Sequence, residues 1–161
     1  MEIITYDDKY KNQVIALVLY IQNIDSGVDL SLEEQPDLNN ILSYYMHDGG
    51  GFWIALDENK RVIGTLGLMK KENNCGVLKK FFVSAKYRGR EFGVSEKLFE
   101  HLLEHAKKCG MDTILLDTPS VAMRSHGFYK KKGFVQITKN QLPVQYEYPD
   151  RDSLLFLKNL K

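Results

Sequence analysis

Two rhythms of hydrophobic and polar residues alternate along this 161-residue chain, and their order outlines a fold. EIITY (2–6) reads as a first strand. Asp7 or Asp8 caps a helix running to about Asn23, because Val14, Leu17, Val18 and Ile21 recur at helical spacing. SLEE (31–34) has the form of a capping box, and Pro36 limits it to one turn before a second helix over 37–47. Period two then takes over. GGGFWIAL (49–56) and RVIGTLGLMK (61–70) flank the turn DENK (57–60) as a hairpin, and GVLKKFFV (76–83) follows a turn at Asn73 and Asn74. An amphipathic helix over 94–109 ends in Lys107 and Lys108, with Gly110 as its stop. TILLDT (113–118) is almost wholly apolar, as expected of a strand in the middle of a sheet covered on both faces. A helix over 121–132 stops at Gly133. FVQIT (134–138) and SLLFLKNL (153–160) are the last strands, joined by a loop holding Pro143 and Pro149.

The order β-α-α-β-β-β-α-β-α-β-β predicts an α/β protein with a mixed sheet. The early strands form an antiparallel meander, and a parallel crossover runs through the helix at 94–109. No repeat or linker divides the chain, so residues 1–161 read as a single domain. Hydrophobic residues at 43% and charged residues at 27% are those of a globular protein. A net charge of +1 gives no global field for nucleic acid or an anionic membrane, so any anion must be held locally. The longest apolar run, VIALVLYI (14–21), is too short to span a bilayer, and MEIITYDDKY lacks the basic flank and apolar core of a secretory leader. Cys75 and Cys109 have no metal-ligand spacing and point to a reducing, cytoplasmic setting. His101 and His105 lie one helical turn apart without a third ligand at suitable spacing, so no metal is expected.

The stretch VSAKYRGREFGVSEKLFEHLL (83–103) carries the candidate chemistry. A helix starting near Val94 leaves its first N–H groups unpaired and its positive dipole end exposed. Gly89 and Gly93 let backbone approach a ligand, and Arg88 and Arg90 add charge for phosphate oxygens. Spacing alone leaves two readings open, a solvated strand-to-helix turn or a pyrophosphate seat. Neither GxxxxGK[ST] nor GxGxxG is present.

This stretch resembles the RxxGx[GAS] acetyl-CoA loop of the GNAT acetyltransferase superfamily, and FYKKKGF (128–134) resembles the family's closing motif. Counted from Val83 the family's arginine falls on Arg88, with Glu91 where its first glycine belongs. Counted back from Leu98 and Phe99 the motif is Arg90-Glu91-Phe92-Gly93-Val94-Ser95, the preferred register, with Ser95 in place of the commoner glycine or alanine.

The resemblance implies a GNAT-like fold in which β-α-β-α-β follows the meander and the central sheet splays. Acetyl-CoA would be the co-substrate, with pantetheine pairing to backbone at Phe82 and Val83. Tyr129 would protonate the departing thiolate. Where the family often has an asparagine stands Ala122, with Ser120 or Ser125 as substitutes.

The implied activity is direct acetyl transfer to a primary amine, most simply of a small molecule. A protein N-terminus or lysine as acceptor and a non-catalytic acyl-CoA sensor are the alternatives. No base is identified: the third early strand offers only Lys79 and Lys80, and Glu33, Glu34 and Asp117 are the candidate carboxylates. His126, three residues before Tyr129, shares its helix face but reads better as a packing residue.

The acceptor side falls on 24–48 and 139–152. These carry Tyr44, Tyr45, Tyr146 and Tyr148 with Asp25, Asp29, Glu33, Glu34, Glu147, Asp150 and Asp152. That composition suits a cationic acceptor or merely exposed loops. A monomer or homodimer that binds neither nucleic acid nor membrane completes the expectation.

Overall fold

A computed structural model of the chain describes residues 1–148 and 152–161. Seven strands form one sheet: β1 (Glu2–Thr5), β2 (Gly51–Leu56), β3 (Val62–Lys70), β4 (Cys75–Val83), β5 (Thr113–Pro119), β6 (Val135–Ile137) and β7 (Ser153–Asn159). Their order is β1-β2-β3-β4-β5-β7-β6. β1 to β4 pair antiparallel, and α4 (Val94–Lys108) carries the chain over to β5, which pairs parallel with β4. This is the mixed α/β sheet that the element order predicts. β7 inserts between β5 and β6 and pairs antiparallel with both, which gives β5 a neighbour on each edge.

One face of the sheet is covered by α4 and α5 (Met123–Lys131). Val94, Leu98, Phe99, Leu102 and Ala106 form the buried stripe of α4, and each of the four larger side chains contributes about 1.5–3 kcal/mol. The opposite face is covered in two pieces. Above β1 to β4 lie α1 (Lys11–Tyr20), α2 (Pro36–Asn39) and α3 (Ile41–Tyr45); beyond β4 the segment 139–148 takes over with Leu142, Val144, Tyr146 and Tyr148. A seam runs between the two pieces.

Local structure departs from the pattern in two places. The first helix begins with a short 3-10 turn, where Asp7 accepts the Lys9 N–H at 2.9 Å, and it continues as a wider π turn over Ile21–Asp25. The second helix is not continuous over 37–47: Asn40 (φ −147°, ψ 66°) separates α2 from α3. The Ser31–Glu34 box does form, with the Glu34 N–H donating to Ser31 Oγ at 3.3 Å, but it closes only a turn.

The sheet's main irregularity lies on β4. Thr65 pairs with Phe82 and Gly67 with Lys79, so Lys80 and Phe81 together oppose Leu66. This is a β-bulge with Lys80 at φ 54°, held by the Thr65 hydroxyl donating to the Lys80 carbonyl at 2.7 Å. β4 and β5 pair only at Cys75–Thr113, Gly76–Ile114 and Val77–Leu115. Beyond these β5 stays paired to β7 through Pro119, while β4 keeps only β3, so the sheet opens between Leu78–Val83 and Leu116–Pro119.

Candidate active site

The turn into α4 leaves that helix open at its N-terminus. Gly93 precedes it in the left-handed region (φ 64°), and no side chain caps the end. The first helical hydrogen bond runs from the Lys97 N–H to the Gly93 carbonyl at 3.1 Å, so the amides of Val94, Ser95 and Glu96 have no partner within the helix. A Cβ added to Gly93 would meet nothing within 4 Å, so backbone is accessible there. Arg90, Glu91 and Phe92 form an exposed turn, and Phe92 meets the Tyr87 ring edge-on at 5.5 Å. The Glu91 carboxylate folds back over Gly89 (φ 120°), where an added Cβ would lie 2.9 Å from Oε2. Arg88 is already engaged: Nε donates to the Val83 carbonyl at 2.9 Å, and Nη2 lies 3.2 Å from Asp25. Arg90 makes no ion pair among the described residues.

Tyr129 sits at the opening between β4 and β5. It is 6% exposed and packs against Phe81, Phe134 and Phe156. Its hydroxyl makes no hydrogen bond among the described residues. Burial raises its pKa above the ordinary phenol value, with the charge of Asp117 adding to the effect, so it keeps its proton at neutral pH. Ser125 lies one turn earlier in α5, half-buried. Ser120 is committed elsewhere, donating to Asp152 Oδ2 at 2.6 Å. The His126 ring lies 2.9 Å from the Pro119 carbonyl and 5.8 Å from the Phe156 ring, a packing position. His101 and His105 turn to the backbone carbonyls of Lys97 and Gly49. Cys75 and Cys109 are free thiols.

The other side of the opening is built from residues far apart in the chain. The bulge puts Lys79 and Lys80 on the same face, although consecutive strand residues normally alternate. Lys80 Nζ, with its side chain only 13% exposed, lies 3.4 Å from Asp37 on α2. The buried Tyr45 on α3 donates to the same carboxylate at 2.5 Å. Gly67 makes room for that tyrosine, since a Cβ there would lie 2.7 Å from its ring. Lys79 Nζ donates to the Glu147 carbonyl at 3.2 Å and stands 5.6 Å over the Tyr146 ring. Tyr146 in turn donates to Asp117 Oδ1 at 3.1 Å. Burial raises the Asp117 pKa above the usual carboxylate range, against the pull of Lys79 and the Tyr146 hydroxyl. Burial likewise lowers the Lys80 ammonium, against the pull of Asp37.

Of the candidate carboxylates only Asp117 is brought to the opening. Glu33 and Glu34 are exposed on the turn before α2. Asp25 pairs with Arg88, Asp29 and Glu147 are exposed, and Asp150 lies outside the described residues, as does Pro149. Asp37 escaped the sequence reading. Its one signal was the Lys79–Lys80 pair inside an otherwise apolar strand, which requires a buried counter-charge.

Residues 16–134 match the Acetyltransferase (GNAT) family. The chain belongs to that family. A solved acetyltransferase from Streptococcus agalactiae is 42% identical, with a TM-score of 0.93 over 99% of this chain and 98% of its own. Probable N-acetyltransferase 14 from Xenopus tropicalis is 33% identical over 121 residues, 74% of this chain and 58% of its own length. The chain thus spans little more than half of that relative. N-acetylglutamate synthase from Neisseria gonorrhoeae, solved with coenzyme A and N-acetyl-glutamate, shares the fold at 18% identity and TM-score 0.76, over 99% of this chain and 35% of its own.

In this GNAT chain, then, the sheet opening has a protonated tyrosine on one side, with the uncapped amides of α4 and the exposed Arg90 in the turn before that helix. On the other it is lined by a carboxylate of raised pKa and two lysines. The first set can hold an anion and donate a proton; the second can accept a proton and hold charged groups. Among the described residues no helix is long and apolar enough to cross a membrane.

Proposed function

We propose that this chain is an N-acetyltransferase moving acetyl directly from acetyl-CoA to a primary amine of a small molecule. The observation that carries this reading is the parting of β4 from β5 after Val77 and Leu115, with the uncapped N-terminus of α4 beside it. When bound, acetyl-CoA supplies the acyl group as a thioester. The amides of Val94, Ser95 and Glu96, directly after the turn Gly89-Arg90-Glu91-Phe92 and Gly93, are suited to a pyrophosphate, where dipole and backbone donors act together. Coenzyme A is bound in the Neisseria gonorrhoeae enzyme of the same fold, which supports the cofactor assignment.

Arg90 is the cation available to the phosphates, and Arg88 reaches them only by leaving Asp25 and the Val83 carbonyl. Pantetheine is assigned to the open edge of β4 at Phe82 and Val83, where the Val83 carbonyl already accepts from Arg88 Nε. Ser125 stands one turn from Tyr129 to meet its far end.

Asp117 accepts the proton from the acceptor's ammonium, and the freed amine forms the new C–N bond as the C–S bond breaks. Tyr129 gives its hydroxyl proton to the departing sulfur, and the second proton that the nitrogen sheds as the amide forms restores the phenol. Each proton transfer accounts for about 10²–10⁴ in rate, and placing the two reactants supplies much of the remainder. The sensor alternative rests on the missing base and on Ala122 in place of the family's asparagine, and a carboxylate at the opening weakens the first of these grounds.

Thermal unfolding with acetyl-CoA, CoA and dephospho-CoA tests the cofactor, since a ligand of the native state must raise the midpoint. No shift at millimolar acetyl-CoA would sink the assignment. Thiol release across amines and peptides then separates enzyme from sensor and small acceptor from protein.

A further inference from the structure

The acceptor side of the opening carries more cationic chemistry than an amine acceptor needs. Lys79 and Lys80 stand side by side on one face because the bulge holds Lys80 at φ 54°, a conformation that costs a non-glycine residue about 1 kcal/mol or more. Their ammonium groups face two partly buried carboxylates, Asp37 and Asp117, so the charges at the seam already balance. Asp25 is likewise matched by Arg88. A polycation entering between Asp37 and Asp117 would meet two carboxylates already faced by lysines and would bring positive charge against those lysines in a partly desolvated site, where repulsion is least screened. Each ammonium has three donors, and the described contacts engage one on Lys79 and one on Lys80. Donor capacity for an anion therefore remains on the side where the acceptor enters.

We infer that the acceptor is an amine bearing a carboxylate, an amino acid or a close relative. Lys79 and Lys80 hold its carboxylate, and Asp117 receives its ammonium. A zwitterion supplies one counter-charge to each side of the seam, leaving the balance of Asp37, Lys80, Lys79 and Asp117 unchanged. The raised pKa of Asp117 agrees with this division, because a carboxylate that ionises reluctantly gains from an arriving ammonium. This inference rests on the acetyl-transfer reading above.

The test measures thiol release from acetyl-CoA by the full chain. The probes are L-glutamate, L-methionine and L-phenylalanine, the α-carboxamide of each, and spermidine. At least one amino acid is expected to exceed its own carboxamide by about tenfold in kcat/KM, the loss expected when a charged hydrogen bond goes unmade, with spermidine poorer still. In Lys79→Gln the acid-over-amide ratio should fall by about tenfold, while acetyl-CoA still raises the unfolding midpoint. Lys79 is the more accessible lysine, and the comparison of acid with amide in the unaltered chain needs no variant. If the carboxamides or spermidine are preferred, or the ratio survives Lys79→Gln, the inference is overturned and the transfer reading stands. If acetyl-CoA gives no thermal shift, both fall.

Discussion

The two sides of the sheet opening are built in opposite ways. The cofactor side is local: the residues from Arg88 to Ser95 are contiguous, and their geometry follows from one turn, one glycine at φ 64° and one helix start. The acceptor side is assembled from Asp37, Tyr45, Lys79, Lys80, Asp117 and Tyr146, which meet only when four parts of the chain converge on the seam. The local side depends on backbone amides and tolerates change in most side chains. The assembled side depends on side chains that hold one another, so a single loss strands a neighbour. Substitutions should therefore fail differently on the two sides.

The largest effect is expected at Asp117. Asp117→Asn should lower kcat/KM by about 10²–10⁴ without lowering acetyl-CoA affinity. Burial raises this carboxyl, so folding favours its protonated form. The stability it contributes is greatest at acid pH and falls as pH rises through the folded value, whereas activity rises over the same range. The asparagine variant should lose both trends, checked by denaturation midpoints and initial rates against pH. An unchanged rate profile would remove Asp117 from the chemistry.

Asp37→Ala comes next. It strands the Lys80 ammonium and the Tyr45 hydroxyl together, at a cost of about 3–5 kcal/mol in denaturant unfolding. The acetyl-CoA thermal shift should survive, because the cofactor side does not use this network. Loss of both would join the two sides into one unit and break the comparison.

On the local side Gly93→Val forces a β-branched residue to φ 64° and should cost about 1–2 kcal/mol of stability. It should also weaken acetyl-CoA binding in a calorimetric titration, and intact binding would mean that the Gly93 turn is not the seat. The smallest effects concern the arginines. Arg90→Ala should weaken acetyl-CoA binding by a few-fold, about 1 kcal/mol, and Arg88→Ala by less, because its guanidinium already serves Val83 and Asp25. The reverse order would restore the register counted from Val83.

Periodicity and caps made most of the fold legible: the hairpin, the crossover through α4, the buried strand TILLDT and the helix stops at Gly110 and Gly133. These features depend on neighbours within a few residues, where backbone preference and apolar spacing act directly. The same locality exposed the α4 turn and Tyr129. Three features stayed hidden, each for want of a local cause. The break at Asn40 separates α2, which packs against α1, from α3, which packs against β2 and β3. The insertion of β7 between β5 and β6 is a choice among edges that the last segment's composition does not express. The bulge at Lys80 is held by the Thr65 hydroxyl in the facing strand.

What the sequence determined by itself was the order of elements and the anion-seeking turn, because helix ends, glycines and alternation act over short range. Only the tertiary structure decided that two adjacent lysines face one way, that Asp37 and Asp117 flank them, and that Arg88 is spoken for. Those placements follow from strand pairing across tens of residues. There, burying a charge demands a partner, and only the folded chain can supply one.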